Sequence, residues 1–139
     1  MMATAGGFMI VTFDFDDTLT QSIWDPEEET FIVVGPNFEM LDLLHMHLDK
    51  GNQVHIVTSR WETPENKSEI LLFLLENGLE KLEKNLHFTN GRFKAKVLDN
   101  IRGTSNNLKL QHHDDDPDEL EQLEDGCEGV LVSTLHGIP

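Results

Sequence analysis

Residues 8–20 read Phe-Met-Ile-Val-Thr-Phe-Asp-Phe-Asp-Asp-Thr-Leu-Thr, and no other stretch restricts the chain so severely. The first six are apolar or β-branched, the composition of a buried strand. Asp14, Asp16 and Thr18 then fall at alternate positions before a polar loop. A carboxylate is costly to bury unless it is paired or binds a cation. Two of them at the end of so apolar a strand therefore mark a built site rather than a bare turn. Open parallel sheets bind ligands beyond the carboxyl ends of their strands, which is where the chemistry is expected.

The rest of the chain alternates between the two periods of secondary structure. Residues 21–34 hold a polar turn and the β-like run Thr30-Phe31-Ile32-Val33-Val34, read as a small hairpin-like flap beside the site. Asn37 is a plausible N-cap for a helix carrying Met40, Leu41, Leu44 and Leu48 at helical spacing, and Gly51 fits its stop. Residues 53–57 form a second strand ending in Thr58-Ser59-Arg60. Thr63 and Pro64 then open a helix that ends near Gly78. Its centre, residues 70–75, is apolar on all sides, as expected for internal burial or a contact between two copies. A short strand at 86–88, a helix over 94–101, a strand at 108–113, a helix opened by Asp116-Pro117 with Glu119 as a capping-box acid, and a strand at 129–133 complete the pass. Strands alternating with helices predict a three-layer α/β fold around a mostly parallel sheet. Residues 1–7 read as a loose tail and 8–139 as one domain.

Composition removes several function classes. The formal charge of −16 opposes nonspecific binding to nucleic acid or an anionic membrane. No apolar run approaches the ~20 residues of a spanning helix. The single Cys127 rules out an internal disulfide and fits a reducing compartment, so a cytoplasmic location is expected. Charge is segregated: residues 114–128 hold nine carboxylates and no Lys or Arg, whereas residues 92–109 carry five of the ten cations. His112 and His113 adjoin three aspartates, but without any spacing of the structural-zinc type.

Asp14-Phe15-Asp16-Asp17-Thr18 after an apolar strand resembles the signature of the haloacid dehalogenase (HAD) superfamily of phosphohydrolases, with Asp17 where glycine is commoner. Three further motifs follow in order. A strand ends in Thr58, with Ser59 as the near alternative. A lysine leads into a helix, and Lys94 matches better than Lys96. An acidic cluster, Asp114-Asp115-Asp116-Pro117-Asp118, is similar to the Asp-Asp-Arg-Pro-Asp of 5′(3′)-deoxyribonucleotidases in the same superfamily. One departure stands out: residues 108–113 are polar for a strand buried on both faces.

The resemblance implies a Rossmann-like HAD core with a five-stranded sheet in the order 5-4-1-2-3. It implies Asp14 as the nucleophile that forms an aspartyl-phosphate and Asp16 as general acid, then base. It further implies Thr58 and Lys94 as catalytic groups stabilising the transferring phosphoryl. Thr18, Ser59 and Arg60 are expected among the substrate contacts. A carboxylate attacks a phosphate dianion poorly unless a cation neutralises charge, so Mg²⁺ is expected. Its ligands would be Asp14, the backbone carbonyl of Asp16, Asp115 directly and Asp114 behind it.

Only some 40 residues separate the first motif from the second, leaving no room for a large cap domain. The open site suits a small phosphorylated substrate or a nucleic-acid end, and the layout also resembles the 3′-phosphatase domain of phage-type polynucleotide kinases. Trp24 and Trp61 would lie near the opening, and Arg60, Arg92, Lys94 and Lys96 would form a local cationic strip. Two rival readings remain. A phosphoacceptor domain needs an acid pair ahead of its acceptor strand's aspartate, and none precedes Asp14. A non-catalytic binding module need not keep all four motif residue types.

Overall fold

The computed structural model describes residues 8–133 and 135–136; the expected tail at 1–7 lies outside them. Strand β1, Ile10–Phe13, is the centre of a five-stranded sheet with β4 (Gln53–Thr58) and β5 (Leu86–Phe88) on one side. On the other side lie β6 (Leu110–Asp114) and β7 (Cys127–Leu131), and every neighbouring pair is parallel. Numbered among these five alone, the order is the expected 5-4-1-2-3. The chain winds outward from β1 to β5, crosses back, and winds outward again through β6 and β7. The reversal beside β1 leaves a crevice at its carboxyl end.

Period-two alternation assigns β1 to two cores. Val11 and Phe13 face a cluster with Leu41 and Leu44 of helix α1 (Phe38–Asp49) and Ile70 and Leu74 of α2 (Pro64–Glu76). Ile10 faces the other layer, with Val57, Leu110, and Leu98 and Ile101 of α3 (Ala95–Gly103). Burying each such side chain contributes roughly 1.5–3 kcal/mol, which holds the crevice rigid around its charged groups. The centre of α2 is covered on one side only: Ile70 and Leu74 are buried, while Leu72 and Leu75 are exposed.

Local signals explain the helix boundaries. Asn37 accepts from the Met40 amide and Thr63 from the Asn66 amide, as their N-cap positions require. Gly51 and Gly78 follow their helices with φ of +84° and +70°. The capping-box expectation for the last helix, α4 (Pro117–Glu121), is half right. Asp116 caps the Asp118 amide, but Glu119 turns away and accepts from the Lys94 amide at 2.9 Å.

The flap is a hairpin of β2 (Thr20–Asp25) and β3 (Thr30–Pro36), joined in parallel by β8 (Leu135–His136). Among the described residues no large cap stands over the crevice, and no helix is long and apolar enough to cross a membrane.

The polar strand is a central one, and its polar groups are paired sideways. In the parallel register Thr12 lies opposite His112 and Phe13 opposite His113. The Thr12 hydroxyl donates to Nδ1 of His112 at 2.6 Å. His113 stacks on Phe13 at 4.6 Å between ring centres, and its Nδ1 lies 3.2 Å from the Thr12 carbonyl. Burial presses His112 below its ordinary pKa and His113 to about 4, keeping both neutral. A neutral, paired histidine is tolerated where an unpaired polar group would not be.

Candidate active site

The turn after β1 depends on a residue that breaks the usual rule. Asp17 sits at φ +59°, ψ +19°, the left-handed region that favours glycine and admits aspartate more readily than most side chains. This explains why glycine is commoner at that position of the motif. Asn37 ties the turn to α1 by donating to the Thr18 carbonyl at 3.0 Å. Thr18, expected among the substrate contacts, is buried and donates to Asp14 Oδ2 at 3.2 Å. In this geometry it orients the first carboxylate and does not face the opening.

Asp14 lies at the end of β1, its amide bonded to the His113 carbonyl. Lys94 enters from the start of α3, 3% exposed, and donates to Asp14 Oδ1 at 2.9 Å and to Asp114 Oδ2 at 2.7 Å. Lys96 is exposed, so the geometry separates the two lysines that residue type alone left competing. The Lys94 amide is held by Glu119, a contact that fixes the lysine from its own backbone. Asp114 Oδ2 also accepts from His112 at 2.8 Å, and its Oδ1 accepts from the Asp116 amide at 3.0 Å.

These contacts account for the electrostatics. Burial opposes the Lys94 ammonium, but Asp14 and Asp114 together outweigh it and hold the group above its ordinary range. Burial would also lift Asp114, yet His112 and Lys94 pull it down to about 2. One ammonium cannot neutralise two buried carboxylates. Burial therefore lifts Asp14 well above the carboxylate range despite Lys94, and it lifts Asp115 to about 6, with Asp114 and Asp17 adding to the effect.

Asp14, Asp114 and Asp115 each present an oxygen within 4.8 Å of the others. Three carboxylates against one lysine leave the cluster negative by two charges when ionised, and hard oxygen donors suit a hard divalent cation. The donor set fits Mg²⁺.

The remaining predicted residues line the rim. Thr58 is buried at the end of β4 and accepts from the Arg60 amide at 3.2 Å. Ser59 is exposed, its carbonyl taking the Gly91 amide at 2.7 Å. Arg60 closes on Asp16: Nε and Nη2 each donate to one carboxylate oxygen at 2.8 Å. Its Nη1 reaches Glu69 at 2.6 Å and Asn66 at 3.2 Å. The pairing with Asp16, more than Glu69, keeps Arg60 above its ordinary range. The expected cationic strip is accordingly divided, since Arg60 and Lys94 are committed to carboxylates while Arg92 and Lys96 are exposed. Trp24 lies in the flap hairpin, and Trp61 is exposed on the loop after β4.

Thr12, His112, Glu119 and Glu69 belong to the site's support and were not singled out from the sequence as such. The alternation of β6 could have found His112, since it shares a face with Asp114 two residues on.

The chain matches no family model, and no curated protein matches it. A solved structure from Vibrio cholerae, provisionally assigned as a 3-deoxy-D-manno-octulosonate 8-phosphate phosphatase, is similar over 86% of this chain, with a TM-score of 0.54 and 10% identity. The chain spans 65% of that protein's length. The likeness is one of fold: an HAD-like core without a large cap.

Proposed function

We propose that the chain is a Mg²⁺-dependent phosphomonoester hydrolase working through an aspartyl-phosphate on Asp14. The observation that carries this reading is the buried cluster in which Asp14, Asp114 and Asp115 converge while Lys94 bridges the first two. The neighbour's assignment as a phosphatase supports it at the level of fold.

Asp14 attacks phosphorus through a carboxylate oxygen as the ester P–O bond breaks, and Asp16, turned from Arg60 and protonated from solvent before the attack, gives the leaving oxygen its proton. Asp16 next takes a proton from water, which attacks the same phosphorus, frees inorganic phosphate and regenerates the Asp14 carboxylate. Lys94 holds a positive charge beside the transferring group, and Thr58 retains a hydroxyl hydrogen for a phosphoryl oxygen because its own oxygen already accepts from Arg60. Asp115 would hold the cation directly with Asp114 behind it, since Oδ2 of Asp114 is already shared by Lys94 and His112. The cation, when bound, supplies neutralising charge for an anion-on-anion attack. The substrate is a nucleotide or a nucleic-acid 3′-phosphate end, a reading supported by the open crevice and by the exposed face of Trp61.

Phosphate release from a small aryl phosphate, with and without Mg²⁺, tests the proposal on the native chain and Asp14→Asn. Turnover that needs Mg²⁺ and falls at least ~10³-fold in the variant is expected. Equal turnover in both would remove Asp14 from the mechanism. A native chain inert with every divalent ion would favour a binding module.

A further inference from the structure

Asp16 fixes where the leaving alcohol must lie, within hydrogen-bond reach of its carboxyl group. A groove of about 190 Å³ opens there between the flap and α2. Val33 of β3 forms one wall and Leu72 and Phe73 of α2 the other. Val33 and Leu72 are each 56% exposed on a surface that is otherwise strongly acidic, so they present apolar area to any occupant.

The charges along this groove are Arg60, Asp16, Glu69 and Glu76, one cation against three carboxylates. Arg60 offers little to an incoming anion, because Nε, Nη1 and Nη2 are all turned onto Asp16, Glu69 and Asn66. Glu76 is the last residue of α2, where the partial negative charge of the helix end adds to its own. The phosphoryl end of the site thus holds the Lys94 ammonium and a carboxylate set that suits a divalent cation, while the leaving-group end is acidic and apolar with its one cation already paired.

From this polarity we infer that the groove is a leaving-group subsite selecting phosphomonoesters of uncharged or cationic alcohols with an apolar or aromatic body. The inference rests on the proposed role of Asp16 and narrows the substrate. A mononucleotide qualifies, because its leaving alcohol is an uncharged nucleoside. A nucleic-acid 3′-phosphate end does not, because its leaving alcohol carries a run of phosphodiester charges along an acidic wall.

Three benzyl phosphates that differ only in a remote para substituent provide the test: aminomethyl, methyl and carboxymethyl. The ester oxygen is chemically alike in all three, so differences in kcat/KM report the groove. With the full chain and Mg²⁺, the cationic and neutral esters are expected to exceed the anionic one by about tenfold or more, a margin that shrinks as salt is raised. Glu76→Lys is expected to raise the anionic-to-neutral ratio by about tenfold. The residue is exposed and lysine is favoured at a helix carboxyl end, so this variant should fold. Glu76→Gln should move the ratio in the same direction by less. Equal rates on all three esters, with no change of ratio in Glu76→Lys, would overturn the subsite while Asp14→Asn still abolished turnover and the hydrolase reading stood. A native chain without turnover on any ester would remove both.

Discussion

Arg60 grips Asp16 through two parallel 2.8 Å hydrogen bonds, placing the residue proposed to handle the proton under the control of a side chain 44 positions away. Paired donors of this kind fix direction as well as distance. Asp16→Asn is expected to slow turnover by about 10²–10⁴-fold, the usual range for losing a general acid. Arg60→Ala should cost about tenfold by leaving Asp16 unpositioned. The double variant is expected to be no slower than Asp16→Asn alone. Fully multiplicative losses would show that Arg60 acts independently of Asp16.

Lys94 holds together a cluster that would otherwise repel itself. In Lys94→Met, Asp14 and Asp114 lose their shared counter-charge, which should cost about 3–5 kcal/mol of stability. Adding Asp14→Asn to that variant removes one buried charge and should restore part of the loss. Urea unfolding of the four chains checks this. Independent, additive effects would mean that the bridge seen between the three groups contributes nothing to stability.

Asp114, an acceptor only, sets the His112 tautomer that donates to it, and the Thr12 hydroxyl supplies the hydrogen bond that the other ring nitrogen then accepts. Thr12→Val keeps the shape and deletes that partner, so it is expected to destabilise the fold by about 1–3 kcal/mol. It should also weaken Mg²⁺ affinity, because Asp114 then rests on a loosened neighbour. Calorimetric Mg²⁺ titration of the variant tests the second effect, and an unchanged affinity would confine Thr12 to packing.

His55 gives the chain an acid-sensitive element away from the active site. Its Nδ1 lies 2.9 Å from His87 Nε2 and its Nε2 2.8 Å from Gln53 Oε1. Burial, aided by His87, lowers its pKa to about 4, and burial lowers that of His87 as well. Between about pH 4 and 6.5 the unfolded chain therefore binds more protons at these positions. Their contribution is fully present above pH 6.5 and is lost as pH falls toward 4. His55→Gln should flatten that part of the stability–pH profile, as read from urea midpoints at pH 7 and 5. An unaltered slope would clear the pair of any role.

The alternating strands and helices were legible because β1 and β4 are largely apolar and the helices carry local signals such as Asn37, Thr63 and Pro64, whereas the strand order came with the resemblance to the HAD superfamily and the missing cap from the short spacing between Asp14 and Thr58. Those signals act between neighbours in the chain, where residue type is sufficient evidence. Strand β6 was harder. Leu-Gln-His-His-Asp has no apolar signature, and its burial makes sense only once Thr12 and Phe13 lie opposite His112 and His113. Glu119 was read as a capping acid for the same reason, since nothing local reveals that its partner is the Lys94 amide 25 residues earlier.

By itself the sequence determined a parallel α/β domain, since pattern and spacing are properties of consecutive residues, and its resemblance to the HAD motifs pointed to Asp14, Thr58 and Asp114 at the ends of β1, β4 and β6. Tertiary structure alone decided between Lys94 and Lys96, buried Thr18 against Asp14, closed Arg60 onto Asp16 and gave the groove its acidic wall. Each of those outcomes depends on whether a charge has a partner across space and how far it is withdrawn from water. Both are set by the packing of segments far apart in the chain.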